Sequence, residues 1–494
     1  MHIKKIFSLL FIILISNNLS AQSPKRGIAY GHHSVADLVA LSPGITWWYN
    51  WSIQPDNDVQ SNYASIGVEF VPMAWNNSYD LNTFISNIRP GAKYLLAFNE
   101  PNFNDGARMT PQEAVNFWSR IETVAATKNL EIVSASPAFN GPNNYGGYSS
   151  PIAWHDDFFA LCPNCKVDYI AGHAYTSQNN PYSVIGEIGL LKKYGKPIWV
   201  TEFANRVIQS SADKIAFMMT ITNAFEADPD IYRYSWFTGR VPDTWTDMLE
   251  GQLLSPTNGV LSAIGNEYIN VSYTLKKIDI PGRIIGNNHY RRKGTDLENT
   301  NDGGTIQNVT DINVNDWGEY MLNVPTAGNY NMTFRVATDA VLGKFDIMIN
   351  DTLVRTEETF LNTGGQQNFT NKIVNNVFLP QGEVFLKIIY KSNDMNFNYI
   401  DVAPSNLNEA DFNLKNNYLI YPNPFTNENG FTIDSKSSKK IKLSISDLLG
   451  RVKFITNDYY TNQDIKIGNN LSSGVYFLTI ESENKKSSFK IIKK

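Results

Sequence analysis

The sequence predicts an α/β fold in three parts: a (β/α)8 TIM barrel, a β-sandwich (jelly-roll) domain, and a small C-terminal β-sandwich domain. Three observations predict it. From Arg26 to Asn270 short β-rich runs alternate with helical stretches, the pattern of parallel strands joined by crossover helices. From there to Ala403 short strands are separated by Asn, Gly and Asp turns with no long helical stretch, as in a sandwich. Residues 419–494 are β-rich again, and a chain of 494 residues exceeds what one hydrophobic core usually serves.

The first part holds eight strand candidates: Gly27 to Tyr30, Thr46 to Trp51, Val68 to Trp75, Tyr94 to Asn99, Glu131 to Ser136, Val167 to Tyr175, Pro197 to Thr201 and Tyr232 to Phe237. Eight βα units over residues 25–270 match the size and count of the barrel. The best-specified helix starts at Thr110-Pro111-Gln112-Glu113, where Thr110 caps, Pro111 suits the first turn and Glu113 completes a capping box. Ala114, Phe117, Trp118, Ile121 and Ala125 follow at helical spacing and read as packing on the barrel wall. The sandwich is placed at 271–404. An asparagine-rich linker, 405–418, separates it from the last unit, 419–494.

The formal net charge is −5, from 42 basic and 47 acidic residues, which supplies no positive surface for nucleic acid. Aromatic residues make up 13% of the chain, and such rings stack on sugars as readily as they fill cores. Lys4 and Lys5, the apolar run Ile6 to Ile15 and Leu19-Ser20-Ala21 read as a signal peptide over residues 1–21, so an exported protein is expected. No other stretch is long and apolar enough to span a membrane. Cys162 and Cys165 cannot complete a zinc site by themselves; a local disulfide is expected in preference to a thiol redox motif, since nothing around them reads as a thioredoxin-like unit.

Interior strands of a parallel barrel are apolar on both faces, so a charge at a strand's C-terminal end stands where active sites form. Glu100, after Tyr94-Leu95-Leu96-Ala97-Phe98-Asn99, and Glu202, after Ile198-Trp199-Val200-Thr201, stand at the ends of strands four and seven. Cleaving a glycosidic bond needs one group to protonate the departing oxygen and one to meet the positive charge at the anomeric carbon, and two carboxyls supply both. Two such residues in one barrel favour this chemistry over salt-bridging strand caps.

The Asn-Glu-Pro and Thr-Glu ends resemble the large clan of retaining (β/α)8 glycosidases. More narrowly, Thr46-Trp47-Trp48-Tyr49-Asn50-Trp51, Phe70-Val71-Pro72-Met73-Ala74-Trp75, Leu96-Ala97-Phe98-Asn99-Glu100-Pro101-Asn102 and Tyr169-Ile170-Ala171-Gly172-His173-Ala174-Tyr175 resemble glycoside hydrolase family 128. That family contains β-1,3-glucanases and the alkali-sensitive-linkage fungal wall proteins. The resemblance implies Glu100 as acid/base, Glu202 as nucleophile, Asn99 on the sugar 2-hydroxyl, Tyr175 bonded to the nucleophile, Trp236 as floor of a subsite, and His173 as a further substrate contact. Trp48 and Trp75 are expected to line further subsites in preference to Trp51, because strand alternation turns neighbours into the wall. Ala174 stands where relatives carry a bulky aromatic, which alters the expected cleft.

Ile280-Pro281-Gly282-Arg283-Ile284, Asn315-Asp316-Trp317-Gly318-Glu319-Tyr320 and Asn396-Phe397-Asn398-Tyr399-Ile400-Asp401 resemble carbohydrate-binding module family 6. The resemblance implies a sugar-binding sandwich with Phe369 and Asn398 in its cleft and Asp311 where relatives carry a clamping Tyr. Ile285-Gly286-Asn287 replaces the acidic stretch that holds a structural calcium in many relatives, and Ca²⁺ wants several oxygen ligands, so no metal and no other cofactor is expected. Tyr421-Pro422-Asn423-Pro424-Phe425, Ile445-Ser446-Asp447-Leu448-Leu449-Gly450-Arg451 and Leu471-Ser472-Ser473-Gly474-Val475-Tyr476 resemble the C-terminal sorting domain of the type IX secretion system. That implies the secretion machinery as a partner and export across the outer membrane.

The expectation is a secreted retaining β-1,3-glucanase acting on laminarin-like or fungal-wall glucan. Hydrolysis of xylan or galactan by the same clan chemistry, and a noncatalytic glycan-binding surface protein, are the alternatives.

Overall fold

The computed structural model describes residues 22–139, 144–405, 418–435, 438–448, 450–463, 466–482 and 485–494. The expected signal peptide, 1–21, and nearly all of the expected linker lie outside the described residues. Two compact units result: the first takes the described part of Met1–Ala327 with Met332–Val374 and Leu379–Val402, the second Gly328–Asn331, Asn375–Phe378 and Ala403–Lys494.

In the first unit strands and helices alternate: β1 (Arg26–Ala29), α1 (Val35–Leu41), β2 (Trp47–Tyr49), α2 (Tyr63–Ile66), β3 (Glu69–Phe70), α3 (Leu81–Asn87), β4 (Tyr94–Leu96), α4 (Pro111–Lys128), β5 (Glu131–Val133), α5 (Pro151–Leu161), β6 (Ile170–Thr176), α6 (Pro181–Gly189), β7 (Ile198–Asn205), α7 (Ser211–Ala227), β8 (Ile231–Trp236) and α8 (Ala263–Ile269). All eight expected strands are present, several shorter than the apolar runs that announced them. Six pair in the order β3-β2-β1-β8-β7-β6 and β4 pairs with β5. Parallel bridges from Met73 to Leu96 and from Val133 to Tyr169 join the two sets, so pairing passes around all eight strands.

Residue parity decides what each side chain meets. Gly27 pairs with Trp47, and a Cβ on Gly27 would stand 2.4 Å from the indole, so the missing side chain makes room for Trp47 inside the ring. Ala29, Trp47, Tyr49, Tyr94 and Trp199 fill that interior, while Ile28 and Trp48 face the helices together with Leu38 and Leu41. Arg233 crosses the interior to Glu69 at 2.6 Å, with its guanidinium over Tyr94 at 4.6 Å and Trp199 at 4.9 Å. These contacts repay its desolvation.

Helix α4 begins as expected: the Thr110 hydroxyl accepts from the Glu113 N–H, the Glu113 carboxylate accepts from the Thr110 N–H at 2.7 Å, and Pro111 is the first helical residue. Such a cap is worth about 1 kcal/mol. Trp118 and Ile121 are buried and Phe117 packs at the margin of the same cluster. Cys162 and Cys165 form a disulfide just beyond α5.

Most of two largely antiparallel sheets follows in the same unit, one containing Arg291–Lys293, Trp317–Val324, Gly382–Tyr390, Leu342–Ile349 and Thr352–Leu361, the other Gln307–Ile312 and the greater part of Met395–Pro404, Gly328–Thr338 and Gly365–Leu379. The first of these sheets meets the ring at the N-terminal ends of its strands. Arg291 lies 4.6 Å over the Tyr232 ring and 2.6 Å from Glu319, Lys387 reaches Glu319 at 3.2 Å, and Trp317 stands edge-on to Tyr232. Arg292 binds Asp230 at 2.6 Å, and Lys25, from just before β1, lies over Tyr290 at 4.5 Å. Burial would raise the Glu319 carboxyl, but Arg291 and Lys387 outweigh it and hold it at about 2.

In the second unit Tyr418–Tyr421 pairs with Thr432–Ser435, and Val452–Tyr460, Lys440–Asp447, Gly474–Ser482 and Lys485–Lys493 form an antiparallel sheet around Phe425, Phe431, Leu443, Ile445 and Leu478. No helix of the described residues is long and apolar enough to cross a membrane.

Candidate active site

Two local irregularities bring the expected carboxylates together. After β4 the backbone closes a turn in which Glu100 takes φ +41°, and Gly106 packs so closely that a Cβ there would lie 2.2 Å from the Glu100 carbonyl oxygen. Left-handed backbone at a non-glycine costs of order 1 kcal/mol and recurs at functional sites. Glu202 lies within β7, not at its end as the sequence suggested. Between the pairs Gly172–Val200 and His173–Glu202 the register shifts, so β7 holds one residue more than β6. A bulge of this kind re-aims side chains, and Glu202 turns toward the cleft while Phe203 returns to the helix side.

One oxygen of Glu100, one of Glu202 and a His173 ring nitrogen all lie within 4.8 Å of one another. His173 Nδ1 is 2.9 Å from Glu100 Oε1 and 3.5 Å from Glu202 Oε2. Glu202 is nearly enclosed. Its Oε1 accepts from the Tyr49 hydroxyl at 2.8 Å and the Trp51 indole N–H at 2.8 Å, and Oε2 accepts from the Tyr175 hydroxyl. Burial raises its carboxyl above the ordinary range, opposed by the charge of His173 and by the donors Tyr175 and Trp51. Burial and the Glu202 charge push the Tyr49 and Tyr175 hydroxyls well above their ordinary range, so both remain donors. Burial alone would lower the His173 imidazole; Glu202 and Glu100 outweigh it and raise it.

The carboxylates open into a cleft of about 1200 Å³ lined by Trp51, Trp75, Asn99, Tyr175, Phe237 and Trp245, among others. Asn99 is 6% exposed and its Oδ1 has no partner among the described residues. At the rim Arg206 binds Asp247 at 2.9 Å with its guanidinium 5.3 Å over Trp245, which is 38% exposed.

Asn99, Trp75, His173 and Tyr175 therefore stand at the carboxylates or in the cleft, as the sequence led one to expect. Trp48 and Trp236 do not. Trp48 faces the helices, edge-on to Phe70 with ring centroids 4.5 Å apart. Trp236 also faces outward, against Phe203, with its N–H donated to the Gly251 carbonyl at 2.7 Å. The neighbouring residues Trp51 and Phe237 take the cleft positions instead. Tyr49, Phe237 and Trp245 were missed by sequence reasoning, and Trp51 was weighed and passed over for Trp48. The usable signal was Gly27: a glycine paired to Trp47 marks Trp47 and Tyr49, at period two, as the inward face.

On the antiparallel sheets, Phe369 lines a depression of about 740 Å³ with Asn301, Asp302 and Arg335. Asn398 is fully buried and is not open to a ligand: its amide donates to Asp302 at 2.9 Å and accepts from the Thr305 hydroxyl. It holds Asp302, which pairs with Arg335 at 2.8 Å. Asp311 is exposed with φ +52° and lies apart from the residues lining that depression.

Residues 27–268 match the family described as Glycosyl hydrolase catalytic core, 288–404 Carbohydrate binding module (family 6), and 419–494 Secretion system C-terminal sorting domain. The chain is 28% identical over 261 residues to Alkali-sensitive linkage protein 1 of Schizosaccharomyces pombe, covering 51% of this chain and 45% of that protein. It is 30% identical over 138 residues to the Clotting factor G alpha subunit of Tachypleus tridentatus, covering 27% of this chain and 20% of the relative. The chain thus spans less than half the length of either curated relative. Among solved structures, it is 37% identical to a family 128 (subgroup II) endo-β-1,3-glucanase of Sorangium cellulosum, covering 50% of this chain and 98% of that one, with a TM-score of 0.47. A second such enzyme, from Pseudomonas viridiflava, gives 37% identity, coverage of 51% and 100%, and a TM-score of 0.47.

Proposed function

With residues 27–268 belonging to the glycosyl hydrolase catalytic core family, we propose that this protein is a secreted retaining β-1,3-glucanase whose ring of strands is a (β/α)8 barrel. The observation that carries the reaction is the pair of unequal carboxylates: Glu202 enclosed by donors, Glu100 open to the cleft, with one oxygen of each within 4.8 Å of the other. That spacing suits direct attack by one carboxylate; an inverting enzyme needs roughly 6.5 to 9.5 Å to seat a water between them. The four sequence motifs of family 128, and the identity to two whole endo-β-1,3-glucanases, support β-1,3-glucan as the substrate class.

Glu202 attacks the anomeric carbon as the carboxylate that its donors favour. Glu100, whose side chain is 20% exposed and faces the bond to be cut, gives its proton to the leaving oxygen and then takes one from water. The unpartnered Asn99 Oδ1 receives a sugar hydroxyl beside the reacting carbon, where its hydrogen bond strengthens in the transition state. Trp75 and Trp51 offer ring faces to neighbouring sugars. The two C-terminal sheets of the first unit form a glycan-binding jelly-roll sandwich through the Phe369 depression, and the sorting domain directs export across the outer membrane by the type IX machinery.

Reducing-sugar release over a panel of laminarin, curdlan, xylan and galactan tests the reading. Release from the β-1,3-glucans alone, lost in Glu100→Gln and Glu202→Gln, is expected. Full activity in either variant contradicts the assigned roles, and release from xylan or galactan contradicts the substrate.

A further inference from the structure

The two oxygens of Glu202 are not equivalent. Oε1 accepts two hydrogen bonds, both from the end of β2: the Tyr49 hydroxyl and the Trp51 indole N–H, each at 2.8 Å. Oε2 accepts one, from Tyr175; His173 Nδ1 lies 3.5 Å away and gives its short contact to Glu100. A carboxylate offers about four lone-pair sites, two on each oxygen. Both sites on Oε1 are filled, and one on Oε2 is free.

Trp51 reaches this position through an unusual backbone. It takes φ +59°, a left-handed conformation that an indole side chain adopts only under constraint. The constraint is Asn50, whose side-chain amide donates to the Gln54 carbonyl at 3.1 Å and to Asp56 at 2.8 Å. The Trp51 ring lines the cleft, edge-on to Phe237 with centroids 5.9 Å apart. The Tyr49 hydroxyl is 3.1 Å from the Thr201 carbonyl as well, but it has one proton, and the shorter bond to a carboxylate is the stronger.

We propose that Tyr49 and Trp51 are nucleophile-positioning residues that select the attacking atom: they hold Oε1, and Oε2 forms the bond to the anomeric carbon. This rests on the reading of Glu202 as nucleophile and adds which atom reacts. In the first step a lone pair on Oε2 forms the new C–O bond. The glycosidic C–O bond breaks with its electron pair on the leaving oxygen, which takes the proton of Glu100. Oε1 becomes the ester carbonyl. In the second step the water that Glu100 deprotonates attacks the anomeric carbon, and the Oε2–carbon bond breaks with its pair on the carboxylate. The charge that returns to the carboxylate is met on Oε1 by the two waiting donors, so they act on both steps.

The experiment uses the full chain on laminarin, with kcat, KM and pH profiles for wild type, Trp51→Phe, Trp51→Ala and Tyr49→Phe. It is joined by a crystal structure of wild type trapped with a 2-fluoro β-1,3-glucosyl donor. The charged and titratable groups facing Glu202 are Tyr49 from β2, His173 and Tyr175 from β6, and Glu100 after β4. Trp51→Phe keeps an aromatic face and removes the N–H. It is expected to lower kcat/KM about ten- to a hundredfold, mainly in kcat, and to move the acid limb up by about one pH unit. Trp51→Ala is expected to raise KM as well. In the trapped ester the oxygen bonded to sugar is expected to be the one remote from Tyr49 and Trp51. An active wild type with an unmoved acid limb in Trp51→Phe, or with the sugar on the oxygen held by Tyr49 and Trp51, overturns this inference alone. A wild type that neither releases sugar nor traps an ester overturns the reading of the site beneath it.

Discussion

His173 Nδ1 lies 2.9 Å from Oε1 of Glu100, in a fully buried imidazole placed where the second carboxylate is also in range. Its positive charge lowers Glu202, so removing the charge while keeping a donor raises the Glu202 carboxyl further. His173→Gln is expected to shift the acid limb of kcat/KM upward in pH and to lower the maximum about tenfold, within the range of general acid–base effects. Initial rates across pH check this; a lowered plateau with an unmoved limb would show that the imidazole charge does not act on Glu202.

In the unmodified protein the acid limb is expected above the range of an ordinary Glu side chain, 4.5, because burial raises Glu202. The sign follows from the proposed reaction: Glu202 must be ionised to attack, and that form is lost as pH falls through its raised pKa. On the alkaline side activity falls as the acid loses its proton, giving a bell-shaped profile. A profile flat through the acidic and neutral range would contradict a carboxylate pair.

Trp48 and Trp75 are expected to respond differently to truncation. Trp48→Ala empties a fully buried helix-side site and is expected to cost about 3 to 5 kcal/mol of stability with little change in KM of the surviving enzyme. Trp75→Ala is expected to leave Tm nearly unchanged and to raise KM about three- to tenfold, on the order of 1 kcal/mol of stacking. Thermal melts and laminarin kinetics on the two variants separate wall from cleft.

Glu319 ties the strand-rich region after the ring to the N-terminal ends of the ring strands as a buried carboxylate between Arg291 and Lys387. Its carboxyl is depressed from 4.5 to about 2, so its contribution of about 3 kcal/mol is present above pH 4.5 and is lost as pH falls toward 2. Glu319→Gln is expected to destabilise at neutral pH, since two cations lose their buried partner, and to flatten the acid dependence of unfolding. Denaturant titrations at several pH values check both effects.

The order and count of strands were legible because each apolar run ends in turn chemistry, and the capping box at Thr110 gave its helix start outright. Glu100 and Glu202 stood out in the sequence because charges that follow apolar runs are rare, although Glu202 lies inside β7 and not after it. The aromatic residues around them were legible only in part: Trp75 and Tyr175 reach the cleft, Trp48 and Trp236 do not. Choosing Trp48 over Trp51 required knowing which face of β2 points inward, and a run of aromatic residues looks alike on both faces; only the pairing to Gly27 breaks the tie. Trp236 gave way to Phe237 for the same reason of phase. The bulge that turns Glu202 inward adds one residue that no periodicity announces. Asn398 looked like a sugar ligand, but its partners Asp302 and Thr305 are distant in sequence.

The contact between Trp317, Arg291 and Tyr232 bears on how this architecture can be recombined. Binding modules hung on flexible linkers can be exchanged between enzymes with little effect on either part. Here one face of the module is also the cover of the catalytic unit's floor, so a graft at residue 270 would leave aromatic rings and a buried arginine site open to water. Exchange of this module therefore requires carrying the matching floor residues with it.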